Sequence, residues 1–236
     1  MQVWAAIDLL QGSVVTLVQG RADEKTVWAD DPIRFADRWQ KEGADGLHLI
    51  DLDAAFQKGS NKDAIMRIIE NAKVPVQVGG GLRDRKTAAE WLEKGAERVV
   101  VGTMAYKEPS ALAELLLDYG PERVVVAADY KNGSIMTKGW TERESVPLLD
   151  AVRQLEKGGV GNILATSVGR DGTGSGPDLE VIRGICTTTR MKVLASGGIR
   201  DARDLDELQE AGADGAVLGR ALYEGTIRMS DIRGRC

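Results

Sequence analysis

The sequence predicts an α/β protein, a (βα)8 TIM barrel built from two similar (βα)4 halves. Three observations carry this: an eight-fold rhythm of apolar and charged segments, a half-chain repeat, and a length of 236 residues. Barrels of this class typically need about 250 residues in one domain, so residues 1–236 read as a single barrel domain.

Short runs rich in Val and Ile end near Asp8, Asp51, Val78, Val101, Asp129, Thr166, Ala195 and Leu218, which predicts eight strands. Segments of helical period follow at 32–42, 62–71, 85–94, 109–119, 145–157, 178–186 and 202–211, with a short one after Gly219. Strands that are apolar throughout need cover on both faces, and a parallel sheet wrapped in helices supplies it.

The repeat turns rhythm into architecture. Residues 76–106 match residues 193–223 at 12 of 31 positions at an offset of 117, where ordinary composition gives about two. A similar displacement pairs Ala6 and Asp8 with Ala127 and Asp129, and Gly43, Gly46 and Asp51 with Gly158, Gly161 and Thr166. An open doubly wound sheet also alternates strands and helices, but it gives no reason for a half-chain repeat.

Composition narrows the function. Net charge is −5, and the 31 basic residues are spread among 36 acidic ones, which argues against nucleic acid as a partner. The opening MQVWAAIDLL has no basic leader, and no apolar run nears the roughly 18 residues of a membrane span. A cytoplasmic protein with no membrane partner, a monomer or weak oligomer, is expected. Cys186 and Cys236 are too few for a disulfide framework or a thiolate metal site. His48 is the only histidine, so chemistry resting on paired histidines, including two-histidine metal centres, is excluded, and catalysis falls to carboxylates. His48 itself reads as a packed, hydrogen-bonded barrel residue.

Chemistry in a closed parallel barrel belongs at the strand C-termini, and the glycines sit there. Gly79-Gly80-Gly81 follows the third strand and Gly102-Thr103 the fourth; Ser196-Gly197-Gly198 follows the seventh and Gly219-Arg220 the eighth. Glycine lets backbone N–H groups approach an anion, and a helix start adds partial positive charge. Any one cluster is explained equally well as a tight βα turn. Two equivalent clusters half a barrel apart point to two phosphate sites and an elongated bisphosphorylated substrate, with Gly172-Thr173 completing the second site. Asp8 and Asp129 end the first and fifth strands, on opposite sides of an eight-stranded ring. Alone, either reads as a helix cap or structural ion pair. As a symmetric pair, one protonated and one not, they suit an aldose–ketose shift.

The segments AIDLLQGSVVTLVQG, LIDLDAA, QVGGGLR, VVGTMAY, AADYKNGSIMTKGW, GRDGTGSG, ASGGIRD and VLGRALYEG, taken together, resemble the histidine-biosynthesis isomerases that convert phosphoribosylformimino-aminoimidazole-carboxamide ribotide to its phosphoribulosyl form. The resemblance spans nearly the whole chain. It implies an Amadori rearrangement without metal or organic cofactor. Asp8 would accept the proton at the sugar C2, Asp129 would donate to the ribose ring oxygen, and Thr166 and Asp171 would orient the bisphosphorylated ribotide. Trp140 is the aromatic expected to close over the flat imidazole-carboxamide ring; the alternative is an indole packed permanently on a neighbouring helix.

Other readings stay open at this level. The sister cyclase of imidazole-glycerol-phosphate synthesis shares the architecture, but its first strand usually ends in Cys-Leu-Asp where this chain has Ile7-Asp8-Leu9. A bifunctional relative that also isomerises phosphoribosylanthranilate carries arginine where this chain has Lys138. A non-catalytic bisphosphate-binding barrel would keep the glycine turns without needing both aspartates, and a triose- or pentose-phosphate enzyme would need one phosphate site. Thr16 and Ser167 depart from the basic and acidic residues common in the isomerases.

Overall fold

The computed structural model describes residues 1–233; Cys236 lies outside the described residues. Eight parallel strands form the barrel: β1 (Gln2–Leu10), β4 (Gly46–Asp51), β5 (Val76–Gly79), β6 (Arg98–Val101), β7 (Val124–Ala127), β11 (Asn162–Thr166), β12 (Lys192–Ser196) and β13 (Gly215–Leu218). They pair in that order, and β13 pairs back onto β1 from Gln2↔Gly215 to Ala5↔Leu218, which closes the ring. The outer helices are α1 (Pro32–Glu42), α3 (Lys62–Asn71), α4 (Arg85–Glu93), α6 (Pro109–Tyr119), α7 (Leu148–Lys157), α8 (Leu179–Thr188) and α9 (Ala202–Glu210). Short helices α2 (Leu52–Ala55), α5 (Thr103–Lys107), α10 (Arg220–Tyr223) and α11 (Met229–Arg233) complete the helical set. None of the helices among the described residues is long and apolar enough to cross a membrane.

The repeated Arg-Asp pairs explain two helix starts. Asp84 accepts from the Thr87 N–H at 2.7 Å and Asp201 from the Arg203 N–H at 2.8 Å, which satisfies donors that a helix N-terminus otherwise leaves bare. Pro32 opens α1 behind the Asp31 cap, and Gly43 at φ 102° closes it.

Alternation along the strands separates two apolar groups. Ile7, Leu49, Val78, Val99, Val126, Ile163 and Val193 face outward into the core under the helices. Trp4, Ala6, Val100, Val125, Ala127, Leu164, Leu194 and Val217 fill the inside, as a closed barrel of eight strands requires. The Trp4 ring fits because Gly46, its neighbour across the strand pair, has no Cβ to strike the indole. The Arg98 guanidinium stacks 4.0 Å above that ring. His48 is buried beside them, with the Gln77 amide donating to its Nδ1 at 2.7 Å. Burial, then the charge of Arg98, holds its pKa down at about 4, so the imidazole is neutral and structural.

Two sheet additions were not legible in the rhythm. β1 runs past Asp8 to Leu10 and turns into an antiparallel hairpin with β2 (Ser13–Val18) and β3 (Arg21–Ala29). After β7, β8 (Tyr130–Lys131), β9 (Ser134–Thr137) and β10 (Glu142–Pro147) form a small separate sheet. The helix expected from Ser145 therefore begins only at Leu148. Residues 145–147 close β10 instead, with Pro147 opposite Ser134 after a break in register, and Pro147 occupies the cap position, where its missing N–H costs nothing. Asp129 lies two residues beyond β7 rather than at its last position.

Trp4 is 2% exposed, so Trp4→Ala empties the lower barrel. A loss of about 3–5 kcal/mol in unfolding free energy is expected by urea titration; a loss under about 1 kcal/mol would contradict this packing.

Candidate active site

The mouth of the barrel collects three carboxylates. Asp8 projects from β1, opposite Ile50 of β4 and Val15 of β2. Since β1 and β7 are first and fifth in the ring, Asp129 enters from the far side. Asp171 comes from the loop after β11. Burial pushes Asp8 up to about 7. Burial, then the charges of Asp8 and Asp129, pushes Asp171 to about 7 as well. Asp129 is also raised by burial, opposed by hydrogen bonds from Trp140 and Thr166. Two raised carboxyls entering from opposite sides can divide acid and base roles between them.

Trp140 is fixed at this point by chemistry at both ends of its ring system. Its Nε1–H donates to Asp129 Oδ2 at 2.7 Å, while its six-membered ring lies on Gly20, where an added Cβ would come within 2.5 Å. Gly20 belongs to the turn between β2 and β3, so the indole is clasped between the first hairpin and the fifth loop. Its backbone pays for this: Lys138, Gly139 and Trp140 have φ of 51°, 62° and 70°, a left-handed run that costs a non-glycine residue roughly 1 kcal/mol or more. The Thr103 hydroxyl steadies the run by accepting from the Lys138 N–H at 2.9 Å.

The glycine turns are near copies. Gly80 and Gly81 have φ of 91° and 72°, and Gly197 and Gly198 have 90° and 84°. A side chain at Gly80 would strike the Asp51 backbone, and one at Gly197 would lie 2.8 Å from the Ser167 carbonyl. Gly102 and Gly219 share φ −106° with ψ of −99° and −106°, and neither caps its short helix with a side chain. Loop six folds under the hairpin: Gln19 donates its N–H to the Asp171 carbonyl at 3.0 Å and its side-chain amide to the Gly169 carbonyl at 2.7 Å. Gly172 is needed because a Cβ there would meet the Leu17 carbonyl. Arg220 reaches across to the Gly172 carbonyl at 2.6 Å and pairs with Glu224, while the Thr173 hydroxyl turns back to the Arg170 carbonyl.

Sequence reasoning missed several participants. Gln19 and Gly20 cover the mouth, and their signal was the Gln-Gly pair at 11–12 and again at 19–20, each with positive φ, bracketing an alternating apolar run. Buried Asn61 joins Asp51, Asp53 and the Leu9 carbonyl and accepts from the Gly12 N–H, which anchors the hairpin base to loop two. Thr16, noted as a departure, receives the Trp28 indole N–H at 3.0 Å. Among the described residues no group of three or more His, Cys, Asp or Glu side chains is placed to hold a metal ion.

The class defined by this geometry is a closed parallel barrel whose mouth carries buried carboxylates entering from opposite sides. The family model for "Histidine biosynthesis protein" matches residues 2–228. The chain is 43% identical over 229 residues to the 1-(5-phosphoribosyl)-5-((5-phosphoribosylamino)methylideneamino)imidazole-4-carboxamide isomerase of Cenarchaeum symbiosum, covering 97% of both chains. It is 40% identical over 233 residues to the isomerase of the same name from Nitrosopumilus maritimus (99% of this chain, 98% of the relative). A third of that name, from Synechocystis, is 40% identical over 235 residues (98% and 91%). The chain belongs to the histidine biosynthesis protein family.

Raised carboxylates carry a stability signature. Between about pH 4 and pH 7 folded Asp8 keeps a proton that the unfolded chain has lost, so its presence lowers stability as pH rises through that window. Asp8→Asn is expected to melt higher than wild type at pH 8, on the order of a few degrees, with the gain vanishing near pH 4. Equal melting at pH 8 would show Asp8 to be well solvated.

Proposed function

We propose that the mouth of this barrel performs an Amadori rearrangement by carboxylate acid–base catalysis, with Asp8 as base and Asp129 as acid. The chain is an aldose–ketose isomerase of histidine biosynthesis, an intramolecular oxidoreductase acting on the aminoaldose ribotide; full-length identity of about 40% to isomerases of that name supports this. The single observation that carries the residue assignment is the pair of desolvated carboxylates on opposed strands of one ring.

The steps balance without an external oxidant. Protonated Asp129 gives its proton to the ribose ring oxygen, the bond from that oxygen to C1 breaks, and the nitrogen lone pair closes a C1–N double bond. Ionised Asp8 then takes the proton from C2, and the electron pair forms an enolamine. Loss of the C2 hydroxyl proton and protonation at C1 give the aminoketose; C2 is oxidised as C1 is reduced.

The glycine turns at 80–81 and 197–198, with Gly102, Thr103, Gly172, Thr173, Gly219 and Arg220, hold the two phosphates at either end of the substrate. Thr166 and Asp171 orient the sugar between them. Trp140 hands its Nε1–H to Asp129 and offers its face to the imidazole-carboxamide. Lys138 replaces the arginine of the bifunctional relatives, so one substrate is converted. The partner is thus a small bisphosphorylated ribotide, handled in a single barrel domain without a cofactor.

Asp8→Asn and Asp129→Asn are each expected to lose on the order of 10²-fold or more in kcat while KM changes little. Wild-type kcat/KM should rise with pH through about 7 as Asp8 ionises, then fall as Asp129 gives up its proton. Absorbance coupled to the cyclase reads all three proteins, and phosphoribosylanthranilate offered instead should remain unconverted. Near-normal turnover in either variant defeats the assignment; efficient conversion of phosphoribosylanthranilate defeats the single-substrate reading.

A further inference from the structure

Each catalytic strand loses its ladder partner just before its carboxylate. On the β13 side of β1 the last register pair is Ala5↔Leu218, and on the β6 side of β7 it is Val101↔Val126. The next residues of the partner strands are Gly219 and Gly102, whose backbones turn away. The carbonyls of Ala6 and Ala127, each two residues before an aspartate, are therefore left without a strand donor on that side, a costly state for a buried group. In both cases a tyrosine supplies the donor. Tyr223 Oη donates to the Ala6 carbonyl at 2.7 Å, and Tyr106 Oη to the Ala127 carbonyl at 2.8 Å. Each tyrosine stands four residues after its glycine, one helical turn along α10 or α5, and the two are equivalent in the repeat.

We propose that Tyr223 and Tyr106 are positioning residues for the isomerisation, each tying the glycine turn of one βα unit to the backbone that aims the carboxylate of the next strand round the ring. This rests on the assignment of Asp8 and Asp129 made above. The phenols are suited to it. Both are half-buried, and burial raises both above the ordinary tyrosine range, with Asp129 and Glu144 adding to the rise at Tyr106. At Tyr223 the rise from burial is opposed by Trp39 and, more weakly, by Arg38, while Asp8 adds to it. They stay neutral donors throughout the working pH range. Tyr223 is further held by Trp28, Phe35 and Trp39 at ring separations of 5.3, 5.1 and 5.4 Å, so its ring remains packed when the hydroxyl is removed. The remaining titratable group facing Asp8 and Asp129 is Asp171.

The test is Tyr223→Phe and Tyr106→Phe in full-length protein, compared with wild type for kcat, KM, pH profile and inhibition by inorganic phosphate. A carboxylate released from its aim slows the chemical step more than binding, so kcat should fall on the order of tenfold while KM and phosphate inhibition stay within about twofold. Y223F should move the acid limb of the profile, where Asp8 ionises, and leave the alkaline limb in place; Y106F should do the reverse. Unchanged kcat, a loss residing wholly in KM, or both limbs moving together in both variants would overturn the proposal. Should Y223F fail to fold, Y106F, which lies outside the aromatic cluster, carries the same test. A wild type that does not turn over the ribotide overturns the functional reading instead, and with it this one; an active wild type beside unaffected variants overturns this one alone.

Discussion

Three carboxylates share one water-poor mouth, and the rest of the architecture answers to that constraint. Burial raises all three carboxyls, and the charges of Asp8 and Asp129 add to the rise at Asp171, so Asp8 and Asp171 hold protons up to about pH 7. Burying these carboxylates is costly to stability once they ionise. What holds the site is a set of neutral donors: Trp140 and Thr166 on Asp129, and the tyrosine hydroxyls on the strand carbonyls behind both aspartates. No arginine or lysine is salt-bridged to any of the three among the described residues, so their raised values are not cancelled.

The duplicated halves explain how the opposed geometry arises, and their differences show where the halves have separated in role. Turn glycines, helix caps and tyrosines are repeated in both. Asp51 and Thr166 occupy matching places at the ends of β4 and β11, yet Asp51 caps α2 and binds Asn61 and Ser60, while Thr166 bonds Asp129. One half has turned that position into support for the first hairpin; the other directs it at a buried carboxylate. Loops one and five diverge most. The hairpin from β1 contributes Gly20 and Gln19, and the sheet after β7 contributes Trp140, so the mouth is covered from the two strands that lead to Asp8 and Asp129.

Barrel strands and outer helices were legible because burial on both faces of a parallel sheet forces continuous Val- and Ile-rich runs, and because Asp84, Asp201, Pro32 and Gly43 mark helix ends by local chemistry. Asp8 and Asp129 were legible through symmetry. The hairpin was not, since Arg21–Ala29 is mostly exposed and its charged sequence carries little hydrophobic signal. The last three residues of β10, 145–147, were read as the start of a helix because they follow the small sheet and not their own periodicity. Trp140 could be placed in loop five from sequence, but its contact with Gly20, more than a hundred residues earlier, depends on tertiary closure. The tyrosines were in plain view within the repeat, though only the end of the strand ladder reveals what they donate to.

The proposed function requires two phosphates held half a barrel apart, with one substrate stretched between opposed carboxylates. A crystal structure with the bisphosphorylated aminoketose bound measures this directly. The account predicts one phosphate on the Gly80-Gly81 and Gly102-Thr103 turns, the other on the Gly197-Gly198 and Gly219-Arg220 turns, and Asp8 within hydrogen-bond reach of C2 or its oxygen, roughly 2.6–3.2 Å. Both phosphates on one half, or a sugar carbon chain lying away from Asp8, would contradict it.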